Sequence, residues 1–127
     1  MARNPEPLPF PDRKISETFL HFAEPLLSGL GPHATDTQMS EALKIAFVVW
    51  NSVVYDTVNG DTKLVDQLRQ STSHAPEMSL FIAQLIFRKH NLFGDDHRLV
   101  GEFKLTRKNG ELNLRAEARD PRRKQNA

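Results

Sequence analysis

The chain has 127 residues, 39% of them hydrophobic and 26% charged, with a formal net charge of +1 and no cysteine. That length and balance suit one ordinary soluble domain with a single core. The missing cysteines exclude disulfides, thiolate nucleophiles and thiolate zinc sites, and the near-zero charge leaves no overall field to recruit nucleic acid or an anionic membrane. No apolar run approaches the roughly 18–20 residues of a membrane span, and the amino terminus lacks a signal-peptide pattern. The expected location is the cytoplasm, with no membrane partner.

Residues 1–13 read as a proline-rich extended arm. Pro5, Pro7, Pro9 and Pro11 fix φ and hold an extended path. No two of them stand in a P-x-x-P relation, so a ligand for an aromatic groove is disfavoured. The arm is expected to lay Leu8 and Phe10 on its own domain or on a twin subunit.

One globular α+β unit is expected over residues 14–119. Asp12 is positioned to cap a first helix reaching about Leu30, with Ile15, Phe19, Phe22, Ala23, Leu26 and Leu30 as its apolar stripe. Pro25 removes the bond to the carbonyl of His21, so a kink or restart is expected near Ala23 and Glu24. His21 stands alone, and a lone histidine is a packing residue before it is a ligand.

Residues 35–59 should form the central helix. Thr35 and Gln38 can make a capping box, and Asn59-Gly60 supplies a left-handed stop. The β-branched run Val48, Val49, Val53, Val54 would also suit a strand, but the polar positions recur at steps of three and four. Ile45 to Trp50 is apolar all round, so this helix should be sheathed on most sides, and Trp50→Ala should cost roughly 3–5 kcal/mol. Lys44, Asn51, Tyr55 and Asp56 are the polar groups on this helix. They either line a polar pocket closed by the hairpin or pin neighbouring elements and reach solvent.

Asp61 can cap a short third helix to about Gln70, with Leu64, Val65 and Leu68 facing in. Ser71, Ser73 and His74 on the loop that follows lack a nucleophile-elbow context. Pro76 opens a fourth helix at the position proline tolerates, and Arg88, Lys89 and His90 suit its negative end. Met78, Phe81, Ile82, Leu85 and Ile86 form its apolar face, which Leu80 and Phe87 widen toward core or subunit contact.

The connection after it carries the most reactive side chains. His90, Asp95, Asp96 and His97 can supply carboxylate and imidazole ligands to a divalent metal, and Asp96 with His97 can act as an acid–base pair. Gly-Asp-Asp is also ordinary turn chemistry. No other cofactor is expected.

Residues 99–119 read as an antiparallel β-hairpin around Asn109-Gly110. A two-residue loop pairs Lys108 with Glu111, Leu105 with Leu114, Phe103 with Ala116 and Gly101 with Ala118. It also sets Glu102 against Glu117 and Lys104 against Arg115, which a four-residue loop would avoid. Both loops gather the apolar residues on one face, which must lie on the helices. Small Gly101, Ala116 and Ala118 would let a helix approach closely. Two strand edges remain, and pairing one with a second subunit is a way to cover it. Residues 120–127 read as a basic tail. With the hairpin they offer Arg107, Lys108, Arg115, Arg119, Arg122, Arg123 and Lys124 as a nucleic-acid stripe, opposed by Glu102 and Glu117 on the same face.

The leading functional expectation is a small cytosolic interaction or assembly module acting as a homodimer. The alternatives are a metal-assisted or acid–base enzyme using residues 90–97, and a nucleic-acid binder.

Overall fold

The computed structural model describes residues 14–121, with the backbone alone at positions 107, 108, 111 and 112. The arm prolines, Leu8, Phe10, Asp12 and the basic tail residues Arg122, Arg123 and Lys124 lie outside the described residues. Four helices precede a hairpin, an α+β arrangement: α1 (Ile15–Gly29), α2 (Asp36–Asn59), α3 (Lys63–Ser71), α4 (Pro76–Leu92), β1 (Leu99–Lys108) and β2 (Glu111–Arg119).

The capping box of α2 forms as its sequence requires. The Gln38 N–H donates to Thr35 Oγ1 at 3.1 Å, and the Thr35 N–H donates to Gln38 Oε1 at 2.9 Å. Gly60 ends the helix in the left-handed region at φ 64°. Ala46, Val49 and Trp50 are fully buried, and α2 is touched by every other helix and by β1. The sheath is incomplete at one stripe, where Val48 and Tyr55, seven residues apart, stand 44% and 40% exposed.

The core is aromatic at its centre. Trp50 meets Phe22 edge-on at 5.2 Å between ring centroids and Phe93 at 5.7 Å, while Phe103 joins Phe19 at 5.8 Å and Phe47 at 5.6 Å. The indole N–H donates to the Arg98 carbonyl at 2.7 Å, so the one polar atom of Trp50 is satisfied.

Several expectations change. α1 runs unbroken through Pro25, with no restart near Ala23. The His21 carbonyl that Pro25 cannot reach accepts from Arg88 Nη2 at 2.7 Å, and Arg88 Nε donates to the Phe22 carbonyl at 3.0 Å. A donor from α4 therefore replaces the missing helix bond. Leu30 lies just past the end of α1 and is 38% exposed. On α3, Leu64 is exposed rather than inward, while Val65 and Leu68 pack against the core. On α4, Leu80 and Phe87 are 61% and 69% exposed, so they do not widen the core face.

The hairpin turn is settled by its backbone. Asn109 and Gly110 both have positive φ, 54° and 82°, the requirement of the two-residue type I′ turn. Lys108 pairs with Glu111, Leu105 with Leu114 and Phe103 with Ala116. The unfavourable Lys104–Arg115 pair is present. The Glu102–Glu117 pair is not, because a bulge between Val100 and Phe103 shifts the register. Ala118 therefore faces Val100, not Gly101. The shift turns Val100 toward the core at 1% exposure, and Leu99 beside it is also buried, at 5%. No helix occupies the space beside Gly101. A Cβ there would meet the Arg119 Nε at 2.9 Å.

Candidate functional site

The 90–97 patch does not converge. His90 and Asp95 are exposed, His97 is half-exposed, and Asp96 is fully buried. Asp96 turns inward onto Arg98. Its Oδ1 accepts from the Arg98 N–H at 3.1 Å and Nε at 2.9 Å, and its Oδ2 accepts from Nη2 at 2.6 Å. A carboxylate held this way on both oxygens is a structural anion. Among the described residues no three His, Asp or Glu side chains stand together as a metal cage. The polar loop before α4 is similarly occupied: Ser71 Oγ donates to the Leu68 carbonyl and Ser73 Oγ to that of Gln70.

Beside Asp96 lies a buried cation that the sequence pattern did not single out. Lys89 is 1% exposed. Its Nζ donates to the carbonyls of Phe93 at 2.7 Å and Asp96 at 2.9 Å, and sits over the Trp50 ring at 4.3 Å. Burial lowers its pKa from 10.5 to about 8, against the opposing pull of Asp96 and Asp95. Its place was legible in one respect. Ile82, Leu85, Ile86 and Lys89 follow one helical stripe, so Lys89 had to lie against the core. This node ties the end of α4 to the start of β1 and to the indole. None of the grooves described below is lined by Lys89.

The four polar residues proposed for a pocket on α2 are not gathered into one. Asp56 is buried and caps α3, accepting from the Leu64 N–H at 3.2 Å and the Val65 N–H at 2.9 Å. Asp61 takes the preceding N–H groups of Thr62 and Lys63 at 2.7 and 3.1 Å. Two aspartates thus share the positive end of α3. Tyr55 is exposed, and Lys44 bonds Glu41 at 3.4 Å on the surface. Asn51 behaves as a short strand. Its Oδ1 accepts from the Val100 N–H at 2.8 Å, and its Nδ2 donates to the Val100 carbonyl at 2.9 Å.

That bidentate bond closes the β1 edge at Val100. In a type I′ hairpin the flanking pair, Lys108 with Glu111, is hydrogen-bonded, and the pattern alternates from there. Thr106–Asn113 and Lys104–Arg115 therefore bond across the hairpin. Phe103 and Leu105 direct their backbone groups to the outer edge of β1, and Leu114 and Ala116 theirs to the outer edge of β2. The bulge gives Val100 the outward sense, and Asn51 satisfies it there. Beyond Asn51 the β1 edge runs into an open groove of about 900 Å³. Asp36, Ser40, Lys44 and Phe47 form its α2 wall, and Gly101 to Leu105 of β1 with Arg115, Ala116 and Glu117 of β2 form the hairpin wall. A second groove of about 450 Å³ lies on the other side, between α1 and β2.

Of the nucleic-acid candidates, Arg115 and Arg119 are exposed on β2. Arg115 shares the wall of the larger groove with Glu102 and Glu117. The side chains of Arg107 and Lys108, like the tail, are outside the described residues. Among the described residues no helix is long and apolar enough to cross a membrane.

No protein-family model matches the chain, and neither a curated protein nor a solved structure is significantly similar to it.

Proposed function

We propose that this chain is a small interaction or assembly module that acts as a homodimer, with β1 as the dimerising edge. The observation that carries the reading is the β1 edge itself. Its backbone groups at Phe103 and Leu105 point outward beside an open groove, and the residues flanking Phe103 are of opposite charge.

Antiparallel pairing of two β1 strands about a two-fold axis at Phe103 sets each Glu102 opposite the partner's Lys104. Both cross-strand pairs are then attractive, and a two-fold contact requires such self-complementarity. Phe103 would exchange its outward N–H and carbonyl with its own copy, extending two hairpins into one four-stranded sheet. Asn51 limits the contact by closing the edge at Val100. Exposed Leu80 and Phe87 on α4 offer a further apolar face that a free-standing monomer would not need. The cysteine-free sequence suits a reducing compartment such as the cytosol.

Light scattering across the micromolar range tests the reading. A mass near twice 14.5 kDa is expected, and a monomer throughout would exclude it.

A further inference from the structure

We propose that the outer edge of β2 takes up an extended segment of a partner polypeptide as a third strand, with apolar side chains at alternate positions and a carboxylate between them. This is the edge of the hairpin opposite the β1 contact, and its binding does not depend on pairing through β1.

The helical layer is wider than the sheet it covers. α1 lies mainly over β2 and α2 over β1, and the two helices pack together. Packed helices stand about 8–10 Å apart and paired strands about 4.8 Å. Two helices therefore overhang a hairpin on both sides. On the β1 side Asn51 of α2 reaches the strand edge at Val100. On the β2 side the overhang leaves a groove of about 450 Å³, with Leu20 of α1 on one wall and Leu114 and Ala116 of β2 on the other. Leu20 is 42% exposed, and among the described residues no strand covers it.

The backbone of this edge sets the chemistry of what fits. The outward groups of Leu114 and Ala116 are N–H donors and carbonyl acceptors at strand spacing, and none of the described residues bonds them. An extended backbone matches both kinds of group at that spacing. Residues directly opposite each other in an antiparallel pair share a face. The residues of an added strand that bond Leu114 and Ala116 therefore turn their side chains inward, over Leu20 and beside two side chains that already pack against the core. Apolar groups gain most there.

The residue between them lies opposite Arg115, in a pair without backbone hydrogen bonds, where side chains approach most closely. Arg115 is exposed and is paired across the hairpin with Lys104, a like-charge contact. Lys14 adds a second cation to the groove wall, against Glu17. A carboxylate opposite Arg115 offsets this excess of positive charge, and a cation there would add to it.

Two short synthetic peptides test this on the full-length protein, one alternating valine with aspartate and the other valine with lysine. Binding is read by titration of the amide signals and by amide hydrogen exchange. The aspartate peptide should slow exchange at Leu114 and Ala116 and leave Phe103 and Leu105 unchanged. It should bind about tenfold more tightly than the lysine peptide. Arg115→Glu also removes the repulsion with Lys104, so the hairpin keeps its fold, and it should reverse the preference. Leu20→Asp should weaken both peptides. Unchanged exchange at Leu114 and Ala116 with either peptide overturns the proposal, as does a preference that Arg115→Glu leaves as it was. Protection of those two amides in the free protein would show that the chain itself closes the edge. Protection that grows with protein concentration alone would assign the edge to a second copy. Either result also overturns the proposal. The β1 contact is read separately, at Phe103 and Leu105, so either idea can fail alone.

Discussion

Arg88 gives His21 the hydrogen bond that a proline one turn later withholds. Its Nη2 donates to the His21 carbonyl at 2.7 Å, and Pro25 carries no N–H to do so. α1 stays continuous because α4 supplies the donor. Arg88→Met should therefore destabilise the protein by about 2 kcal/mol, the cost of taking a charged donor from the exposed His21 carbonyl and the part-buried Phe22 carbonyl. In a Pro25→Ala background the helix recovers its own N–H, and the same substitution should cost about 1 kcal/mol less. Urea unfolding of the four proteins measures this coupling. Equal costs in both backgrounds would show that the two residues act independently.

Lys89 makes stability depend on pH in a stated direction. The unfolded chain holds this proton up to about pH 10.5, and the folded chain only up to about pH 8. Between those values the unfolded state binds more protons, so this group adds stability as pH rises from 8 toward 10.5 and loses it again as pH falls through 8. The span corresponds to roughly 3 kcal/mol. Other groups titrate in the same window, so the informative quantity is the difference between wild type and Lys89→Met. That difference should move in favour of wild type from pH 7 to pH 10. A flat difference would mean that the buried ammonium pays no net desolvation penalty.

Asn51 should report on the hairpin rather than on the helices. Asn51→Ala removes both bonds to Val100, and leaving that backbone pair unmet should cost about 2 kcal/mol. Exchange of the Val100 amide should accelerate well before that of the α2 amides. If the α2 amides accelerate equally, the hairpin and helices open as one unit.

Thr18 is a site where stability can be gained. It is fully buried in α1, and its Oγ1 has no partner among the described residues. Thr18→Val keeps the shape and removes the unmet hydroxyl, so the midpoint of thermal unfolding should rise, by about 1 kcal/mol of added stability. A lower midpoint would place a hydrogen-bond partner at Thr18.

What the sequence makes legible follows from how local each cause is. The capping box of Thr35 and Gln38, the stop at Gly60 and the turn at Asn109-Gly110 depend on neighbours along the chain, and each forms as expected. The helical period placed Trp50 inside for the same reason. Pro25 announced a carbonyl in need of a donor, but nothing local says that Arg88, 63 residues further on, supplies it. The bulge at Gly101 and Glu102 is likewise set from outside, since Asn51 on α2 holds Val100 in its rotated sense. Among the suggested site residues, Asp56, Asp96 and Asn51 were noticed for their chemistry. The packing around them spends that chemistry on α3, Arg98 and β1. The strand edges, which rest on alternation alone, are what remains available on the surface.

Sedimentation equilibrium on a charge-swap series at the β1 edge tests the dimer most directly. Wild type should sediment as a dimer at micromolar concentration. Glu102→Lys and Lys104→Glu should each weaken the dimer at least tenfold by placing like charges across the two-fold axis. Lys104→Glu also relieves the repulsion with Arg115 inside the hairpin, so its effect cannot be laid to unfolding. The double variant Glu102→Lys/Lys104→Glu restores opposite charges and should restore the dimer. A monomeric wild type, or a dimer indifferent to all three variants, would contradict pairing through β1.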